Sequence, residues 1–148
     1  MHSEHRNPPE AHRLRPSAVI MVAVGGAVGA LARYGISEWF PSTEPGFPWA
    51  TFWINVSGCA LIGALLVLID EVYAAPHSLW RPALATGVLG GYTTFSTYSV
   101  ETMQLLRGGH IAMGVGYAIA TVITALAALY LAELLTRRIA TDRARRQP

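Results

Sequence analysis

The chain has 148 residues, of which 52% are apolar and 14% charged; soluble domains carry about 25% charge. The deficit is confined to four uncharged runs, 16–32, 45–69, 82–100 and 108–132, comparable to the ~20 helical residues that cross a bilayer's hydrocarbon, and little is left over for a soluble domain. The net charge of +2 owes its sign to the polar tails and gives no reason to expect nucleic acid as a partner.

The N-terminal tail, 1–15, is polar and expected to be disordered. Its His2, His5 and His12 fit no fixed metal geometry. The first span, about 16–36, is short in uncharged residues, but Arg33 can reach the interface from its end. It is not expected to be a cleavable leader: glycines sit at its centre, Arg33 follows directly, and three further spans come after it. Gly25, Gly26, Gly29 and Ala30 give it a small-residue packing face. The second span, about 47–69, carries Asn55 at mid-depth, then Ser57, Gly58, Ala60 and Gly63; its lone cysteine, Cys59, reads as a packing residue. The third, about 82–106, holds Gly87, Gly90 and Gly91. The fourth, about 110–134, aligns Tyr117, Thr121, Thr124 and Ala128 on one helical face. A polar tail, 136–148, expected to be disordered, closes the chain. Small residues in every span argue for a close-packed, all-α membrane bundle. Four short helices do not readily enclose a pore, so an oligomer is expected.

The third span is the unusual one. Gly90-Gly91-Tyr92-Thr93-Thr94-Phe95-Ser96-Thr97-Tyr98-Ser99 is built from glycines and hydroxyl residues, which predicts a broken helix with exposed carbonyls. Broken backbone at membrane depth survives only where it is buried in protein or lines water, and such breaks mark ion sites. Asn55 either bonds a neighbouring helix or offers its amide to a permeating anion. Arg33 either snorkels or lends positive potential to a vestibule. Glu101 either faces a mouth, caps a bundle contact or relays protons. Phe95 and Tyr98, three apart, share a face; they pack in the core or turn electropositive ring edges to an anion. No metal-ligand cluster, phosphate loop or nucleophile arrangement is evident, so the sequence argues for a channel or transporter rather than an enzyme.

The N-terminal tail, the loop at 70–81 and the C-terminal tail share one side and carry nine of the eleven arginines; the other side has only Arg33 and Arg107, and lysine is absent. The positive-inside rule predicts both termini in the cytoplasm of a plasma-membrane protein.

At the third-span signature, together with Gly25-Gly26-Ala27-Val28-Gly29-Ala30-Leu31-Ala32-Arg33-Tyr34 and Thr51-Phe52-Trp53-Ile54-Asn55-Val56-Ser57-Gly58, the chain resembles the Fluc (CrcB) family of fluoride channels, from about residue 22 to 135. The resemblance implies an antiparallel, dual-topology-type dimer of four-helix subunits with two fluoride paths along its interface. It implies a structural sodium at the dimer centre, held by carbonyls of Gly90 and Thr93. It places Phe95 and Tyr98 on the pore-facing rings, Asn55 on the pore asparagine, Arg33 on the vestibule arginine, and Tyr117 and Thr121 on the fourth helix's polar track. Hydroxyls of Ser96, Thr97 and Thr121 would join the Asn55 amide in replacing fluoride's lost water. A passive channel suffices: fluoride enters as the neutral acid, ionises, and is driven out by the membrane potential. Three departures stand out. Tyr98 stands where the family commonly has Phe, and Ala125 where a third hydroxyl is common. The arginine bias is strong for a dual-topology chain, which points to a heterodimer with an oppositely oriented relative.

Two rivals remain. A small proton-coupled multidrug exporter needs a carboxylate in its first helix, and 16–32 has none. A non-transporting membrane scaffold gains nothing from a broken third span.

Overall fold

The structure is a computed structural model that describes residues 16–40, 46–72 and 79–145; the N-terminal tail with its histidines lies outside the described residues. Helix α1 spans Pro16–Trp39 and α2 spans Trp49–Val67, which runs on into a π-helical turn at Leu68–Val72. The third span opens as a π-helical stretch, Pro82–Leu89, and tightens into α3, Gly90–Tyr92. It breaks at Thr93 and Thr94 and resumes as α4, Phe95–Arg107. A turn through Gly109, whose φ of 82° suits a residue without Cβ, leads to α5, Ile111–Arg145. The described residues contain helix and turn but no strand. α1, α2 and Ile111–Asp142 are each long and apolar enough to cross a membrane; the third span is divided by its break.

Packing follows the small residues. α1 lies along Pro82–Leu89 and α3, while α2 lies along α5, which also carries α4. Backbones meet where glycine allows it: a Cβ on Gly29 would strike the Val88 carbonyl oxygen, and one on Gly91 the Gly26 carbonyl. Gly63 meets the backbone of Leu129 in the same way, joining α2 to α5. Without a hydrophobic drive in lipid, such close approach supplies much of the attraction. The buried core gathers Phe52, Val56, Leu105, Tyr117 and Ala125. Val24, Val28 and Leu31 on α1, and Ile119, Ile123 and Leu126 on α5, remain exposed, as surfaces that face lipid or another subunit do.

One expectation is overturned. The tail beyond residue 135 is not irregular as far as Arg145: α5 continues through it. Its 35 residues span about 52 Å at 1.5 Å per residue, well beyond the ~30 Å hydrocarbon core. Arg137 fastens the projecting part, reaching Glu133 one turn back and Glu71 after α2, each at 2.8 Å.

Candidate functional site

The break in the third span is built by side chains taking backbone partners from the helix. In an unbroken helix the Thr94 N–H would serve the Gly90 carbonyl. Here it donates to Asn55 Oδ1 at 2.9 Å, while Asn55 Nδ2 donates to the Thr94 carbonyl at 3.0 Å. The Thr97 N–H, which would serve the Thr93 carbonyl, donates instead to Thr94 Oγ1 at 3.1 Å. Thr94 is thus the N-cap of α4, in extended conformation at φ −144°, ψ 120°. The Gly90 and Thr93 carbonyls have both lost their regular partners. The Gly91 carbonyl is met by Arg33 Nε at 3.2 Å, so Arg33 reaches inward from α1 to the break. Ser57 Oγ and the Tyr92 hydroxyl bond at 2.8 Å, tying α3 to α2 just before the break. Of the two readings of Asn55, the interhelical bond is realised; an amide N–H remains beyond the one given to Thr94.

Beside the break lies an open cleft of about 290 Å³, lined by Asn55, Cys59, Thr93, Thr94, Phe95, Tyr98, Thr121 and Ala125 among others. Phe95 is 80% exposed in the single chain and lies 5.8 Å from the Tyr98 ring, tilted 42°. Tyr98 donates its hydroxyl to the Ala118 carbonyl at 3.0 Å. The extra oxygen of this departure is therefore spent on α5, and the ring is what the cleft sees. Thr121 is buried, and its Oγ1 is the buried side-chain oxygen without a partner among the described residues. A helical threonine commonly bonds the carbonyl four residues back, as Thr102 and Thr136 do. Thr121 does not, and an orphaned hydroxyl costs about 1–3 kcal/mol.

The remaining candidates sit around this centre. Ser96 and Thr97 are not among the cleft's lining residues. Ser96 Oγ lies 3.3 Å from Thr94 Oγ1, and Thr97 Oγ1 accepts from it at 3.0 Å. Tyr117 is fully buried and donates to Glu101 Oε2 at 2.7 Å, while Thr51 Oγ1 donates to Glu101 Oε1 at 2.8 Å. Glu101 therefore caps a contact among α2, α4 and α5. The sequence reading passed over Thr51 and Thr94 as site residues. The signals were present: a lone carboxylate inside a span must find donors, and Thr94 stands three residues before Thr97, as an N-cap does.

Fold and site define a polytopic, all-helical membrane protein whose third span is interrupted beside a partly polar cleft. Residues 20–133 match the family model described as CrcB-like protein, Camphor Resistance (CrcB). Similar curated proteins include Fluoride-specific ion channel FluC 1 of Streptomyces coelicolor, 48% identical over 86% of this chain and 82% of its own length. Fluoride-specific ion channel FluC 2 of Nocardia farcinica is 44% identical over 88% of this chain and 90% of its own. Fluoride-specific ion channel FluC of Thermus thermophilus is 42% identical over 76% and 87%. The chain belongs to the CrcB (FluC) family.

Proposed function

We propose that this chain is a subunit of a passive, fluoride-selective channel that exports cytoplasmic fluoride and confers resistance to it. The observation that carries the reading is the cleft beside the break. It gathers an amide, an unpartnered buried hydroxyl and two aromatic rings, Asn55, Thr121, Phe95 and Tyr98. A small hard anion must exchange its water for such donors, and the electropositive ring edges add to them. The mostly apolar remainder of the wall offers little to a larger organic substrate that needs charge recognition. The uncharged first part of α1 speaks against proton-coupled drug export.

The working unit is an antiparallel dimer, with fluoride paths along the interface. Phe95, exposed in the single chain, has a natural place there. The Gly90 and Thr93 carbonyls, with their helical partners diverted, are suitable hard ligands for a sodium ion. That ion would supply positive charge at the centre of the dimer, while Asn55 and Thr94 hold the backbone open for it. The arginine bias supports cytoplasmic termini and favours a heterodimer with an oppositely oriented relative. Ala125 lines the cleft without a hydroxyl, so a path on this subunit has fewer donors than one with a third hydroxyl there. Expression in a bacterium lacking its own fluoride exporter tests the function. Growth in fluoride is restored by this chain, alone or with an oppositely oriented relative from the same organism, and failure of both overturns the reading.

A further inference from the structure

In an unbroken helix the Gly91 carbonyl would accept from the Phe95 N–H. Phe95 instead opens α4 on the far side of the break, and the Gly91 carbonyl takes Arg33 Nε at 3.2 Å. This placement is built into α1. Gly29 stands one turn before Arg33 on the same face, and its missing Cβ lets α1 close onto the Val88 carbonyl and the Tyr92 N–H. The guanidinium is thereby carried to a helix end, where peptide dipoles leave negative partial charge. Among the described residues, no ion pair involves Arg33, and no group of three or more His, Cys or acidic side chains gathers as metal ligands would. Gly91 lies in the chain between Gly90 and Thr93, whose carbonyls have lost their helical partners to Asn55 and Thr94.

We propose that Arg33 is the specificity-determining residue of the cation site at the break, making it select a singly charged ion over a doubly charged one. The inference rests on the reading of the Gly90 and Thr93 carbonyls as a sodium site. Neutral carbonyls alone do not exclude a divalent ion: backbone oxygens serve Ca²⁺ readily, and its second charge doubles the attraction. Arg33 acts in two ways. Its Nε–H occupies the Gly91 carbonyl, which withholds a further oxygen of the break from a metal. Its charge, paired with no carboxylate, repels an ion at the neighbouring oxygens in proportion to that ion's charge, so Ca²⁺ is penalised twice as heavily as Na⁺. No acidic cluster stands among the described residues to reverse that balance. A hydrogen-bonding role alone leaves the preference unchanged when a neutral donor replaces the guanidinium; a role for the charge does not.

The test uses the assembled dimer of the full chain in detergent, with its subunit partner where assembly requires one. Its melting temperature is followed against NaCl or CaCl₂ at constant ionic strength, with choline chloride making up the difference; an ion that binds the folded form alone raises it. The unaltered dimer is expected to be stabilised saturably by Na⁺ and not by Ca²⁺. Arg33→Gln offers the Gly91 carbonyl a donor without the charge, and shifts the apparent preference toward Ca²⁺ by about tenfold or more, the scale of one unit charge at an effective dielectric of about 20. Arg33→Met makes the same comparison where Arg33→Gln does not assemble. Arg33→Lys keeps the charge and keeps the preference for Na⁺. Surface carboxylates are the same in every variant, so their response to Ca²⁺ cancels. An intact Na⁺ preference in an assembled uncharged variant overturns the inference, as does Arg33→Lys taking Ca²⁺ as readily as Arg33→Gln. Saturable stabilisation of the unaltered dimer by Ca²⁺ at the concentrations that serve for Na⁺ overturns it without any variant. No response to either ion in any of these proteins overturns the sodium site itself, and the role of Arg33 with it.

Discussion

Asn55 holds the break open, and its removal should both destabilise the fold and close the site. Asn55→Ala deletes two hydrogen bonds to Thr94, one at 2.9 Å and one at 3.0 Å. The Thr94 N–H and C=O are then left without their partner in a part-buried setting. Each orphaned group costs about 1–3 kcal/mol, so the ceiling is about 2–6 kcal/mol. Part of this is recovered if the Thr94 N–H swings back to the Gly90 carbonyl and the helix closes over the break. That recovery removes a carbonyl from the proposed cation site, so stability regained is function lost. Asn55→Asp separates the effects: it keeps an acceptor for the Thr94 N–H, loses the donor to the Thr94 carbonyl, and sets a negative charge in the anion's path. The assays are reversible denaturation in detergent and fluoride efflux from vesicles, normalised to assembled protein. Asn55→Ala is expected to lose more than about 1 kcal/mol and most of its efflux; Asn55→Asp is expected to lose efflux at a smaller stability cost. Both variants conducting at the rate of the unaltered chain, with less than about 1 kcal/mol lost, would show that Asn55 does not hold the break open.

Phe95→Ile should suppress efflux while changing subunit stability by only about 0.5 kcal/mol, because the ring is 80% exposed in the single chain; parallel melting and flux curves check this. Thr121→Val removes an unpartnered buried hydroxyl, so it should leave stability equal or higher by about 1–3 kcal/mol while efflux falls. A variant that is more stable and also conducts fully would show that the hydroxyl has no role in permeation. Gly91→Leu drives a side chain into the Gly26 backbone; overpacking of this kind costs about 1–3 kcal/mol or more, and a lower yield of monodisperse protein is the readout. Arg137→Ala breaks exposed ion pairs to Glu71 and Glu133, worth about 0–1 kcal/mol together, and the small loss should vanish in high salt.

Much of the fold was legible because hydrocarbon allows few solutions. Uncharged runs of spanning length gave the helices, and glycine spacing marked faces that the structure brings together at Gly29, Gly63 and Gly91. The break was legible from composition, since Gly90-Gly91 followed by hydroxyl residues is poor helix in lipid. What opens it was not: the Asn55 bonds to Thr94 join residues 39 apart, and no local pattern reports such a pair. Arg33 was legible as a candidate, but its partner was not, for the same reason: Gly91 lies 58 residues away. The continuation of α5 to Arg145 was missed by weighing polarity above propensity. Residues 136–145 contain neither Gly nor Pro, are rich in Arg and Ala, which favour helix, and extend a helix already nucleated. That Ser96 and Thr97 stay out of the cleft lining was likewise beyond the sequence, because it depends on where α4 restarts after Thr94.

If the interrupted third span borders a path for fluoride, an electrode reads the ion as it leaves. Vesicles loaded with potassium fluoride and carrying this chain, alone and then with an oppositely oriented relative from the same organism, are given valinomycin to set an inside-negative potential. Rapid fluoride release is expected in at least one case, and none from matched vesicles loaded with chloride when chloride is followed instead. Release no faster than from protein-free vesicles in both cases, or equal release of chloride, would contradict a fluoride path there.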